Sequence, residues 1–104
     1  MAQVLFTPFA KQDLQEIYVY LDEIAGREFA NKFLVEIREK CLLLASNPLL
    51  GNARHELVIN LRSFLFKKYV IFYLPIENGI DVLRIIHSLR DIEQVFEEML
   101  PLEP

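Results

Sequence analysis

Arg62 and Arg84 stand inside runs that are otherwise apolar, Leu61-Arg62-Ser63-Phe64 and Val82-Leu83-Arg84-Ile85-Ile86, and Arg90 follows the second run closely. A guanidinium stays charged at any physiological pH, so among apolar neighbours it needs a fixed partner to offset its desolvation. Tyr69, Tyr73 and His87 lie in the same part of the chain. Two kinds of chemistry are open to such a set. As catalysts, Arg62, Arg84, His87, Arg90 and Tyr69 could act together, with histidine moving a proton and arginines holding developing negative charge. As a binding surface, Arg62, Arg84, His87, Arg90 and Tyr73 could grip acidic or carbonyl groups of another macromolecule. A purely internal use is the third possibility. Arg84 would pair with Asp81 or Glu56, Arg90 with Asp91, and His87 would bond to backbone or cap a turn.

Other chemistry is poorly supported. The two histidines are far apart and Cys41 is alone, so no metal-ligand set is expected, and no cofactor. Cys41 reads as a small apolar core residue, and a single cysteine suits a reducing compartment. His55 earns no role, Arg54 and Glu56 read as serving the fold, and Lys67-Lys68 reads as a solvated turn. The 104 residues carry a formal charge of −4, which disfavours a general nucleic-acid binder. The charge is partitioned, however. Residues 51–90 are net +3, whereas residues 91–104 hold five acidic groups, ending with Glu103, and no basic one. No apolar run reaches the roughly 18–20 residues of a membrane span, and the start lacks the pattern of a signal peptide. One cytoplasmic domain over residues 1–104 is expected.

The elements that must position these groups follow from period and punctuation. Gln3 to Phe6 reads as a strand. Thr7-Pro8 is a sound helix start, and Leu14, Ile17, Tyr18, Leu21 and Ile24 recur at helical spacing up to Gly26. A second helix from Arg27 to Ser46 has the stripe Phe29, Ala30, Phe33, Leu34, Ile37, Cys41 and Leu44, and Asn47-Pro48 ends it. So short a joint makes the two helices an antiparallel hairpin. Three strand-like runs follow, Leu61–Phe66, Tyr69–Ile76 and Ile80–His87, with Asn78-Gly79 as the clearest turn. Tyr69 to Leu74 is apolar on both alternating faces and so belongs in the middle of its sheet. After Asp91, the stripe Ile92, Val95, Phe96 and Met99 is helical again. The expected fold is α+β, in the order β-α-α-β-β-β-α: an antiparallel sheet with the helical hairpin on one face.

Read as an ordered series, Gly51-Asn52-Ala53-Arg54-His55-Glu56-Leu57, Leu61-Arg62-Ser63-Phe64, Tyr69-Val70-Ile71-Phe72-Tyr73 and Ile80 to Asp91, ending His87-Ser88-Leu89-Arg90-Asp91, resembles the RelE/ParE toxin superfamily. The likeness is closer to the ParE branch and spans nearly the whole chain, leaving out only the tail after Leu100. It implies a concave sheet face opposite the helices, and the binding reading of Arg62, Arg84 and Arg90 would have them line it. It also implies the toxin half of a bacterial type II toxin–antitoxin pair, silenced by a cognate antitoxin in a hetero-oligomer. ParE-like members act on DNA gyrase, and RelE-like members cut messenger RNA in the ribosome. In the RelE-like pattern an arginine follows the aromatic that opens the central strand, and a tyrosine stands near the end. Here those positions are Val70 and Phe96, while the arginine after the last strand is kept as Arg90. The resemblance therefore implies a gyrase poison without hydrolytic chemistry. The alternatives are a ribosome-dependent endoribonuclease and a non-toxic relic that only binds antitoxin. Exposed aromatics from Phe64, Phe66 and Tyr73 are expected to offer the antitoxin apolar surface.

Overall fold

The structure, a computed structural model, describes residues 2–99. The acidic end with Glu103 lies outside the described residues. The chain runs β1 (Gln3–Phe6), α1 (Pro8–Ala25), α2 (Arg27–Ser46), β2 (Asn52–Ala53), β3 (Arg62–Phe66), β4 (Tyr69–Ile76), β5 (Gly79–His87) and α3 (Ile92–Met99). The sheet order is β1-β5-β4-β3-β2, so Tyr69–Ile76 is central, as its two-sided apolar pattern requires. Strands β2 to β5 are antiparallel to their neighbours, but β1 lies parallel to β5, with Gln3 opposite Gly79 and Phe6 opposite Val82. The sheet is therefore mixed. The reason is topological: the helical hairpin and β2 to β4 intervene between β1 and its partner, and such a long crossover permits parallel pairing.

The hairpin forms where the sequence places it. The Thr7 hydroxyl accepts from Ala10 N at 3.1 Å, and Pro8 occupies the first helical turn. Gly26, at φ +95°, turns the chain directly into α2. The stripe of α1 differs from the expected one. Its buried positions are Ala10, Asp13, Ile17 and Leu21, and Ile24 is exposed. On α2, Ala30, Phe33, Ile37, Cys41 and Leu44 are buried, while Phe29 is exposed. Burial pushes the Cys41 thiol up to about 12.

Both faces of the sheet are covered. One carries the hairpin, packed on Tyr69, Ile71, Tyr73, Ile80, Val82 and Ile85. The other carries α3, whose Val95 and Phe96 pack with Leu61, Phe72, Leu83 and Ile86. The Phe96 ring meets Phe72 edge-on at 5.0 Å between centroids. The second face is thus a core under α3, and it does not offer the arginine-lined hollow that the binding reading expects.

No helix among the described residues is long and apolar enough to cross a membrane.

Candidate functional site

Each arginine has a different fate, set by what backbone lies near it. Arg62 begins β3 opposite Tyr73. Its Nε donates to Gly51 O at 2.9 Å and a terminal nitrogen donates to Leu49 O at 3.2 Å. The buried Tyr73 completes this lock, its hydroxyl accepting from Gly51 N at 2.9 Å and donating to Pro48 O at 2.7 Å. A Cβ at Gly51 would stand 2.6 Å from that hydroxyl oxygen and 2.8 Å from Ser63 O, so only glycine fits. Burial raises the Tyr73 phenol above its ordinary value. Arg62 and Tyr73, expected as partner-binding residues, instead pin the α2–β2 connection to the sheet. The physical cause is that residues 48–51 leave carbonyls that need donors. Phe64 and Phe66 are likewise half-covered, with the Lys40 ammonium 5.4 and 5.9 Å from their ring centroids.

Arg84 is also engaged, though with neither of its expected partners. Its Nε and a terminal nitrogen donate to the two Asp13 oxygens at 2.8 and 2.9 Å, and Asp13 also accepts from Ile85 N at 2.9 Å. Strand geometry explains why. Phe72 pairs with Arg84 and Tyr73 with Val82, so Leu83 is an extra residue that bulges β5. Strand β1 ends opposite Val82, leaving the next backbone groups of β5 without a strand partner. The Thr7 hydroxyl takes Leu83 O at 2.7 Å and the Asp13 carboxylate takes Ile85 N–H. Asp13 thus extends β1's role from the first turns of α1, and Arg84 neutralises it. The side chains are 13% and 7% exposed, so this is a buried bidentate pair.

Tyr69, His87 and Arg90 do come together, on the side of the sheet that carries the hairpin rather than the side that carries α3. Tyr69 opens β4 opposite His87, and the rings stand edge-on at 5.3 Å. Tyr69 also meets Phe33 edge-on at 5.4 Å, which fixes its ring. His87 Nδ1 accepts from Leu89 N at 3.1 Å, and Arg90 N donates to His87 O at 3.0 Å, closing the turn that presents Arg90 to solvent. Asp91 caps α3 by accepting from Gln94 N at 3.1 Å, so the expected Arg90–Asp91 pair is not made. Tyr69, His87 and Arg90 line a cleft of about 150 Å³ with Asp13, Glu16, Ile17, Tyr20 and Ile85. Desolvation, with a smaller contribution from Tyr20, holds the Tyr69 phenol above its ordinary value. No group of three or more metal-ligating side chains occurs among the described residues.

Three residues of this cleft, Asp13, Glu16 and Tyr20, carry no role in the sequence reading. For Asp13 a signal was present: it falls three residues after Ala10 and four before Ile17, on the buried stripe itself. A carboxylate at such a position calls for a buried cation, and Arg84 among apolar residues is its complement.

The arrangement now has relatives against which to set it. The family model described as "ParE toxin of type II toxin-antitoxin system, parDE" matches residues 4–92. The chain belongs to the ParE toxin family. It is 28% identical over 94 residues to Toxin ParE1 of Mycobacterium tuberculosis in both strain CDC 1551 / Oshkosh and strain ATCC 25618 / H37Rv, covering 89% of this chain and 96% of that protein. A solved structure described as the chromosomal ParDE TA system from P. aeruginosa superposes with a TM-score of 0.70 at 25% identity, over 84% of this chain and 96% of that one. The chain is thus a ParE-type toxin of a type II toxin–antitoxin system, and the family match takes in the lock at Tyr73, the Asp13–Arg84 pair and the cleft up to Arg90.

Proposed function

We propose that this ParE-type toxin arrests growth by binding DNA gyrase in the bacterial cytoplasm, without breaking bonds itself, and that a cognate antitoxin silences it in a hetero-oligomer. The observation that carries the non-hydrolytic part is the filling of the second sheet face by α3. Val70 and Phe96 occupy the two positions where the RelE-like pattern has an arginine and a tyrosine. Val70 packs at the edge of the α3 cluster, and Phe96 is buried against Phe72. Neither can donate to a phosphate.

The antitoxin reading is supported at the opposite edge. Strand β1 ends the sheet. Gln3 N and Thr7 N bond to Asn78 O and Val82 O of the neighbouring turn and strand, so by alternation Val4 and Phe6 turn their backbone groups outward. An unpaired edge of this kind accepts an added strand. Beside it runs an apolar groove of about 320 Å³ lined by Phe6, Leu14, Leu34, Val35 and Ile37, with Arg38 at its rim. A disordered antitoxin segment can fold into that groove, burying apolar side chains and meeting Arg38 with a carboxylate.

The test is a pair of assays on the purified chain. Supercoiling by gyrase falls when the toxin is added and recovers when antitoxin is supplied, while primer extension on translated messages shows no new ends. Codon-positioned cleavage with intact supercoiling would overturn the proposal.

A further inference from the structure

The donors of the Tyr69–His87–Arg90 cleft are unevenly used. Asp13 is saturated by Arg84 and Ile85 N–H, so it neither attracts a ligand cation nor accepts further bonds at full strength. His87 Nδ1 receives Leu89 N–H, which leaves the ring proton on Nε2 as a donor. The Tyr69 phenol makes no hydrogen bond among the described residues and is a donor too. The Arg90 guanidinium is exposed and makes no hydrogen bond or ion pair among the described residues. Tyr20, 53% exposed, adds a further hydroxyl at the rim, and Ile17 and Ile85 give the cleft apolar walls.

From this geometry we infer that the cleft between α1 and the ends of β4 and β5 is a recognition site for one carboxylate side chain of a protein partner. The cleft's size, about 150 Å³, suits a carboxyl group with its methylene stem. Its charges select between anions. With Asp13 matched by Arg84, the unmatched formal charges are Arg90 and Glu16, whose carboxylate holds only a bond from Gln12 at 3.0 Å. Arg90 and Glu16 together are already neutral, so a dianionic phosphate would leave the cleft two charges negative and a monoanionic carboxylate only one, which favours the carboxylate of the two. A lysine ligand would meet Arg90 and find only Glu16 to accept it. The inference rests on the reading that this toxin works by gripping another protein, and it names the chemistry of that grip.

Glutarate is the probe, titrated into the full-length chain while the Tyr69 and His87 ring resonances are followed by NMR. Saturable shifts confined to these rings are expected. Arg90→Gln should weaken binding about tenfold or more, as for a lost charge-assisted bond. Glu16→Gln should tighten it several-fold, and inorganic phosphate should bind more weakly than glutarate. Both variants lie on the surface, so their folds can be verified by unchanged spectra elsewhere. No saturable shift, equal affinity in Arg90→Gln, or preferential binding of phosphate would overturn the site. Any of these with gyrase inhibition intact would leave the proposed function standing.

Discussion

Arg84 and Arg90 flank the end of one strand, yet they belong to two regions with opposite economies. Around Arg84, no buried side-chain nitrogen or oxygen lacks a partner: Asp13 serves the guanidinium and Ile85 N–H, and Thr7 serves Leu83 O. Around Arg90, a few residues further along, donors outnumber acceptors and the side chain stands in water. The difference is imposed by the sheet. Where β1 stops, bare backbone must be satisfied from α1, and a buried charge is recruited for the purpose. Beyond the end of β5 no such demand exists, so charge there is at liberty to meet a partner. Residue type alone does not separate a structural arginine from a functional one; the local supply of unpaired backbone does.

The largest effect that breaks the comparison is expected at the buried pair. Arg84→Ala leaves an uncompensated carboxylate, and urea unfolding should show a loss of about 3–5 kcal/mol. The double change Asp13→Leu with Arg84→Met removes both charges but orphans Ile85 N–H, so it should cost less, about 1–3 kcal/mol. If the double variant is no more stable than Arg84→Ala, the pair is not the source of the loss. Tyr73→Phe comes next. It strips the acceptor from the buried Gly51 N–H and the donor from Pro48 O, at about 1–3 kcal/mol in the same measurement. Arg62 should then hold residues 49–51 less firmly, seen as faster amide exchange at Gly51.

A smaller effect is expected where a pair exists but water reaches it. Lys67 Nζ bonds Glu36 at 2.6 Å on the surface, and that bond lowers the Glu36 carboxyl below its ordinary 4.5. A carboxyl lowered by folding contributes stability above its unfolded value and loses it as pH falls through the folded one. Lys67→Ala should therefore melt slightly lower than the parent at pH 7, and the gap should close below pH about 4.5 and vanish in high salt. A gap that widens in acid would show that the interaction is not this one.

The sequence carried much of this design where periodicity is unambiguous. Thr7-Pro8, Gly26 and Asn78-Gly79 mark boundaries because their backbone requirements are local. The two-sided Tyr69–Leu74 run places β4 in the centre because both faces must find cover. What stayed hidden depended on distant pairings. That β1 lies parallel beside β5, and ends opposite Val82, is not written in either segment. Nor, without that pairing, is there any reason to see Asp13 as a substitute for missing strand. The arginines were conspicuous, but their division into used and unused followed from those pairings. Tyr69, His87 and Arg90 line one cleft, yet the placing of His87 on the hairpin side required the β5 bulge, which no composition reveals.

Arg90 gives the smallest expected change in stability and so the cleanest separation of the two regions. It is exposed and makes no bond through its side chain among the described residues; only its backbone N–H closes the turn to His87 O. Arg90→Ala should move the unfolding free energy by no more than about 0.5 kcal/mol, the ordinary range for a surface change. The turn persists because the bond that makes it is backbone to backbone. If the side chain meets a partner carboxylate, however, growth arrest on induction should be lost while the melting temperature holds, the reverse of Arg84→Ala, which should lose both together. Arg90→Lys sharpens this further. It keeps the charge but replaces a planar fork with a point donor, so arrest should be restored only in part. An Arg90→Ala chain that unfolds, or one that stays folded and fully arrests growth, would erase the distinction between the two arginines.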